Sequence, residues 1–166
     1  MEEGDRFSNL KEYSDALDAY EEALRLDPKD ALACCSKGAA LNGLKRYEEA
    51  LIACQQANRL DPKNATTYTN KAAALNGLNR YEEGLAACEQ AIRLDPKNVA
   101  AYTSKSWVLN NLGRYEEALA ACEQAIDLDP SVPLACRNKG HALKFLGRKN
   151  EAQQAFAKAR VLGYKG

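Results

Sequence analysis

The 166-residue sequence has no long apolar run, no excess of one charge and no low-complexity tract. No apolar stretch approaches the roughly 18 residues that a membrane span needs. The start at Met1 lacks the basic and apolar regions of a secretory signal. Lys plus Arg equals Asp plus Glu at 23 each, so no global field attracts nucleic acid or an anionic membrane. We therefore expect a folded cytoplasmic protein with neither a nucleic-acid nor a membrane partner.

The short motifs of enzymes and metal proteins are missing as well. The chain has one histidine, His141, and no C-x-x-C pair, Gly-rich phosphate loop or H-E-x-x-H motif. A hydrolytic triad needs a nucleophile, a base and an orienting acid held together, and nothing in the sequence marks such a group. We expect no enzymatic activity, no cofactor and no metal, and we interpret His141 as a polar residue of a binding surface.

Strand signals are also scarce, because Ala, Leu, Glu, Lys and Arg dominate and β-branched residues seldom cluster. The prediction is an all-α chain. A strict repeat organises it: prolines, tyrosines and alanines recur at steps of 34 residues. The clearest columns are Pro28, Pro62, Pro96 and Pro130; Tyr13, Tyr47, Tyr81 and Tyr115; and Ala23, Ala57, Ala91, Ala125 and Ala159.

Units such as Leu-Gly-Arg-Tyr-Glu-Glu-Ala-Leu at 112–119, followed by Leu128-Asp129-Pro130, resemble the tetratricopeptide repeat family. The resemblance implies antiparallel helix hairpins stacked into a right-handed α-solenoid superhelix, whose concave groove is lined by the first helix of each hairpin. We expect one domain over residues 1–166. Its predicted units are a partial one at 1–30 and full ones at 31–64, 65–98, 99–132 and 133–166.

The last unit departs from the pattern. Columns that are mostly apolar in earlier units become Lys149, Gln153 and Arg160 there. Terminal repeats need a polar outer face, so this end is expected to be the true end of the array.

The six cysteines are predicted to be structural. Cys34 and Cys136 share one repeat column, and Cys54, Cys88 and Cys122 share another. Equivalent residues of packed helices lie roughly 10 Å apart, beyond the roughly 7 Å limit between Cα atoms in a disulfide. Cys35 differs, because its column faces the predicted groove, and we expect it to be an exposed, reactive thiol.

Function is expected in the groove. Asparagine amides can donate to and accept from a peptide main chain, so one interpretation is a ladder that contacts a bound peptide backbone. The alternative is that Asn42, Asn76 and Asn110 simply end the first helices. Trp107 is either an aromatic anchor for a peptide side chain or a core residue, and Phe145 belongs to the wider groove lining. The predicted peptide-binding residues are Asn42, Thr69, Asn70, Asn76, Thr103, Trp107, Asn110, Asn111, Arg137, Asn138, His141 and Lys144.

Charge is distributed unevenly despite the net value of zero. Residues 1–30 carry ten acidic and four basic side chains, a net of −6, whereas 133–166 carry one acidic and eight basic, a net of +7. The prediction is a protein–protein interaction scaffold or adaptor that binds a partner peptide, with an acidic part of the peptide on the last repeat. The alternatives are a scaffold that self-associates head to tail, and the repeat region of a larger enzyme whose catalytic domain is absent.

Overall fold

The computed structural model describes the backbone of residues 2–164 and the side chains of residues 9–164, and this part of the chain contains helices and no strands. The all-α helical repeat fold is therefore confirmed. The helices are α1 (Glu2–Leu26), α2 (Ala31–Gly43), α3 (Tyr47–Leu60), α4 (Ala65–Gly77), α5 (Tyr81–Leu94), α6 (Val99–Asn111), α7 (Tyr115–Leu128), α8 (Pro133–Phe145) and α9 (Lys149–Val161).

The start of each first helix is set by the residue before it. Asp30, Asn64 and Asn98 have extended backbones, and each side chain accepts a hydrogen bond from a backbone N–H in the first turn of α2, α4 or α6. Such N-caps stabilise a helix by about 1 kcal/mol. The helix α8 instead follows Val132 and begins with Pro133, whose fixed φ suits a first helical position.

The hairpin turns use one residue in the left-handed region. It is Lys45, Asn79, Gly113 and Gly147 in successive repeats, with φ of 60°, 58°, 73° and 78°. The equivalent residue of the first unit is Lys11, which lies inside α1. The first repeat, residues 1–30, therefore contains one continuous helix of 25 residues. This helix runs through the position where every later repeat turns.

The first compact unit spans residues 1–80 and contains α1 to α4. Two glycines of this unit allow its helices to approach closely, because glycine has no side chain. A Cβ on Gly38 would lie 2.8 Å from the Cys54 Sγ atom of α3, and a Cβ on Gly77 would lie 2.5 Å from the ring of Tyr47. Both distances are shorter than van der Waals contact, so a larger residue at either position would require the neighbouring side chain to move.

The second compact unit spans residues 81–166 and contains α5 to α9. Its core joins Val108 and Leu109 of α6 to Ala118 of α7 and Ala142 of α8, all fully buried. Each buried Val or Leu contributes about 1.5–3 kcal/mol. The side chain of Phe156 on α9 packs over Gly140 of α8. No described helix of either unit is long and apolar enough to cross a membrane.

Candidate functional site

A pocket of about 320 Å³ opens in the second unit. It lies between the first helices α6 and α8 and the start of the second helix α7. Its lining residues are Trp107, Asn110, Asn111, Tyr115, Arg137, Asn138, His141 and Phe145.

Two aromatic pairs shape the pocket walls. The Trp107 ring packs edge-on against Tyr81, with centroids 5.7 Å apart and an interplanar angle of 63°. The Phe145 ring stacks on Tyr115 at 4.7 Å and 3°, and 61% of Phe145 is exposed to solvent. Trp107 is half-buried against the core of the unit and also lines the pocket. Its role as an anchor for a peptide side chain stays a prediction.

Positive charge enters the pocket from α8. The Arg137 guanidinium lies 5.2 Å from the centroid of the Tyr164 ring, at cation–π distance. The His141 ring packs edge-on against Phe156 at 5.4 Å. Partial burial lowers the pKa of His141 below its usual value, and the nearby positive charges of Arg137 and Lys144 lower it further. The imidazole is therefore kept neutral more readily than a free histidine.

Asparagine side chains of the second unit form hydrogen bonds between one first helix and the next, and we call these bonds the asparagine ties. The Nδ2 group of Asn110 donates to the backbone oxygen of Asn138 at 3.0 Å. In return, Nδ2 of Asn138 donates to the Thr103 backbone oxygen at 3.2 Å and to the Ser106 Oγ atom at 3.0 Å. Asn138 is only 3% exposed. These donors join α6 to α8.

The first unit repeats this arrangement between α2 and α4. Asn42 Nδ2 donates to the Asn70 backbone oxygen at 2.8 Å, and Asn70 Nδ2 donates to the Cys35 backbone oxygen at 3.2 Å. Asn42 and Asn110 each donate one of their two amide N–H groups to the main chain of the next first helix. Asn70 and Asn138 donate both, to a backbone oxygen and to a side chain. Contact between these amides and a bound peptide backbone stays a prediction. The Oδ1 atoms of Asn42, Asn76 and Asn110 are buried without a hydrogen-bond partner.

Comparison with known proteins identifies the family. Family models described as tetratricopeptide repeat match residues 1–65 and 70–133, and residues 135–159. The chain belongs to the tetratricopeptide repeat family. Members of this family are generally non-catalytic scaffolds for protein interactions. No curated protein matches the sequence.

Solved tetratricopeptide repeat structures share the fold. TTC0263 from Thermus thermophilus is 23% identical with a TM-score of 0.82, covering 99% of this chain and 90% of that chain. MamA from Desulfovibrio magneticus is 22% identical with a TM-score of 0.75, covering 96% and 92%. YrrB, described as a tetratricopeptide repeat protein with an unusual peptide-binding site, is 24% identical with a TM-score of 0.70, covering 95% and 81%.

The twelve residues predicted for the tetratricopeptide repeat groove are divided between the two compact units. Six of them, Trp107, Asn110, Asn111, Arg137, Asn138 and His141, line the pocket of the second unit. Thr103 and Lys144 belong to the same unit but do not line it, and Asn42, Thr69, Asn70 and Asn76 belong to the first unit.

Several of these polar groups form hydrogen bonds within their own helix. The Oγ1 atoms of Thr69 and Thr103 donate to backbone oxygens one turn back in their own helices, at 3.2 and 2.8 Å. Asn111 Nδ2 likewise donates to the Trp107 backbone oxygen at 2.8 Å, and Asn76 is only 7% exposed. Lys144 is exposed.

Two pocket residues were absent from the predicted binding set. Tyr115 opens a second helix, and only the first helices were expected to line the groove. Phe145 was placed in the wider lining, and its signal was a broken column: Gly43, Gly77 and Asn111 occupy the same position in earlier repeats. In the first unit the Tyr47 ring covers Gly77, whereas here Phe145 fills that space and stacks on Tyr115.

The cysteines of this tetratricopeptide repeat chain are free and buried. Burial raises the pKa of the Cys54, Cys88 and Cys122 thiols to about 12. The expectation that Cys35 is exposed is wrong, because it is only 3% exposed. Its sulfur lies 3.5 Å from the Asn70 amide nitrogen, so the helix that carries Asn70 covers it.

Proposed function

We propose that this chain is a protein-interaction scaffold that binds an extended peptide segment of a partner protein at the pocket of the second unit. The observation that carries the proposal is the meeting of Trp107, Tyr115 and exposed Phe145 with Arg137 around one pocket of about 320 Å³. Aromatic and arginine side chains are the residue types most enriched where binding energy concentrates.

The chemistry of the pocket defines the peptide that suits it. The Phe145 and Trp107 rings offer apolar contact to a large side chain. Arg137 and His141, with Lys144 nearby, favour an acidic side chain or a terminal carboxylate beside it. The preferred peptide therefore carries an apolar side chain next to a negative charge. Both amide N–H groups of Asn138 are bonded within the protein, so this side chain is not assigned a contact with the peptide.

The family supports an interaction role, and the description of YrrB names a peptide-binding site in a protein of the same fold. A cytoplasmic location remains a prediction from the sequence.

The sole tryptophan of the chain provides the readout. A peptide array identifies a binding sequence, and titration of that peptide is followed by Trp107 fluorescence. We expect a saturable change in emission, because the ring lines the pocket. We also expect Arg137→Glu to weaken binding about tenfold or more.

The matched control is Arg93→Glu, which makes the same charge change at an exposed position of α5 outside the pocket. If both reversals weaken binding equally, the effect is one of net charge. A peptide that binds without altering Trp107 emission would argue against this pocket.

A further inference from the structure

The helix α1 has a face that its counterparts bury. Ala16 and Ala23 are partly exposed, whereas the equivalent Ala50, Ala57 and Ala125 are at most 1% exposed. In α3 and α7 these small residues lie under the first helix of their own hairpin. Residues 2–12 instead belong to the same helix α1, so they do not form a first helix packed over Ala16 and Ala23.

The side of α1 that carries Leu17 and Glu21 already packs against α2. Leu17 is 4% exposed, and Glu21 forms an ion pair with Lys37 of α2 at 2.8 Å. The open face is thus centred on Ala16, Tyr20 and Ala23, all partly exposed. At its edge the Tyr13 ring packs against Gly43 of α2 and is 43% exposed. Glu12 and Asp27, both exposed, lie at its edges.

The exposed surface of helix α9 is basic and polar, in contrast to the open face of α1. Lys149, Gln153 and Arg160 are exposed there, although Leu51, the counterpart of Gln153, is buried. Exposed Ala157 and Val161, the latter 87% exposed, add apolar surface beside these polar groups.

The charges of the two surfaces are complementary. Residues 1–30 carry a net charge of −6 and residues 133–166 a net charge of +7. We propose that the open face of α1 binds the basic helix α9 of a second copy of this chain, head to tail. This interaction is separate from peptide binding at the pocket. A symmetric contact between two α1 helices would instead oppose two acidic segments.

Contact between two different surfaces does not limit itself to a dimer, so assembly grows with concentration. The test is the weight-average mass of the intact chain by sedimentation equilibrium, from micromolar to millimolar protein. The screening length falls from about 10 Å at 0.1 M salt to about 3 Å at 1 M. We expect the mass to rise with concentration at the lower salt and to fall towards the monomer at the higher salt. A monomer under all conditions, or a dimer indifferent to salt, overturns the proposal.

Charge reversals locate the two surfaces. We expect Glu12→Lys on α1 and Arg160→Glu on α9 each to weaken self-association about tenfold or more. Arg93→Glu is the control with the same charge change as Arg160→Glu, and it is expected to assemble as the unaltered chain does. If Arg160→Glu disturbs the end of its helix, Lys149→Glu replaces it at the helix start, where an acidic residue is favoured.

Mixing the two variants tests the direction of the contact. The Glu12→Lys chain keeps its α9 surface, and the Arg160→Glu chain keeps its α1 face. A head-to-tail contact therefore predicts that the mixture forms pairs at a concentration where each variant alone stays monomeric. Variants that stay monomeric when mixed, or that assemble normally when alone, contradict the proposal.

Discussion

Replacing Asn138 with alanine tests whether the asparagines are internal ties. Asn138 is 3% exposed and donates to the Thr103 backbone oxygen and to the Ser106 Oγ atom. Its own backbone oxygen accepts from Asn110 whatever the side chain at 138 is. The substitution therefore removes two side-chain hydrogen bonds and leaves the return bond in place.

The magnitude follows from those two bonds. A net hydrogen bond contributes about 1 kcal/mol, and the small cavity left by the amide adds to the loss. Alanine recovers about 0.6 kcal/mol through its higher helix propensity. We expect Asn138→Ala to lower the free energy of unfolding by about 2 kcal/mol. Asn111→Ala is the control: Asn111 is exposed and bonds only within its own helix, so a change within about 0.5 kcal/mol is expected.

Urea denaturation followed by Trp107 fluorescence measures both variants, because Trp107 and Asn138 lie in the same unit. A lower midpoint at an unchanged slope reports lost stability. If Asn138→Ala is as stable as the unaltered chain but loses peptide affinity, the amide contacts the ligand and our account of the ties is wrong.

Four further outcomes are expected. All six thiols should resist a thiol reagent in the native protein and react after denaturation, because all are buried; fast native labelling of any one contradicts this. Since the folded pKa of His141 lies below its usual 6.5, stability should be greatest above that pH and fall as pH drops through it. His141→Gln should flatten that profile in melting experiments, and an unchanged profile would exclude His141 as its cause. Gly38→Ala should destabilise the fold by about 1–3 kcal/mol in urea titrations, because its Cβ would lie 2.8 Å from Cys54 Sγ. Gly113→Asn should have little effect, since Asn79 already adopts the same backbone conformation.

Much of the fold could be predicted from local chemistry. The repeat period set the hairpins, and Asp30, Asn64 and Asn98 cap the helices that follow them. The capping signals act over three or four residues, so they can be recognised in the sequence without knowledge of the packing. The continuous α1 is the exception, because Lys11 occupies the turn column and yet lies inside the helix.

The candidate site could not be predicted from the 34-residue repeat period alone, because it depends on distances between neighbouring helices. The asparagine ties join residues 28 and 35 positions apart, and which amide group meets which carbonyl is decided by the spacing of neighbouring first helices. The same spacing buries Cys35. Tyr115 enters the pocket because Phe145 stacks on its ring, a contact between different repeats that no single repeat reveals.

The most direct test of peptide binding at this pocket compares two apolar side chains of nearly equal exposure. Phe145 lines the pocket and is 61% exposed, and Ile52 lies in the first unit and is 63% exposed. Calorimetric titration of the selected peptide measures Kd for Phe145→Ala and Ile52→Ala. We predict that Phe145→Ala raises Kd about 10- to 100-fold with little change in Tm, and that Ile52→Ala leaves Kd unchanged. Equal Kd values for the two variants would contradict peptide binding at this pocket.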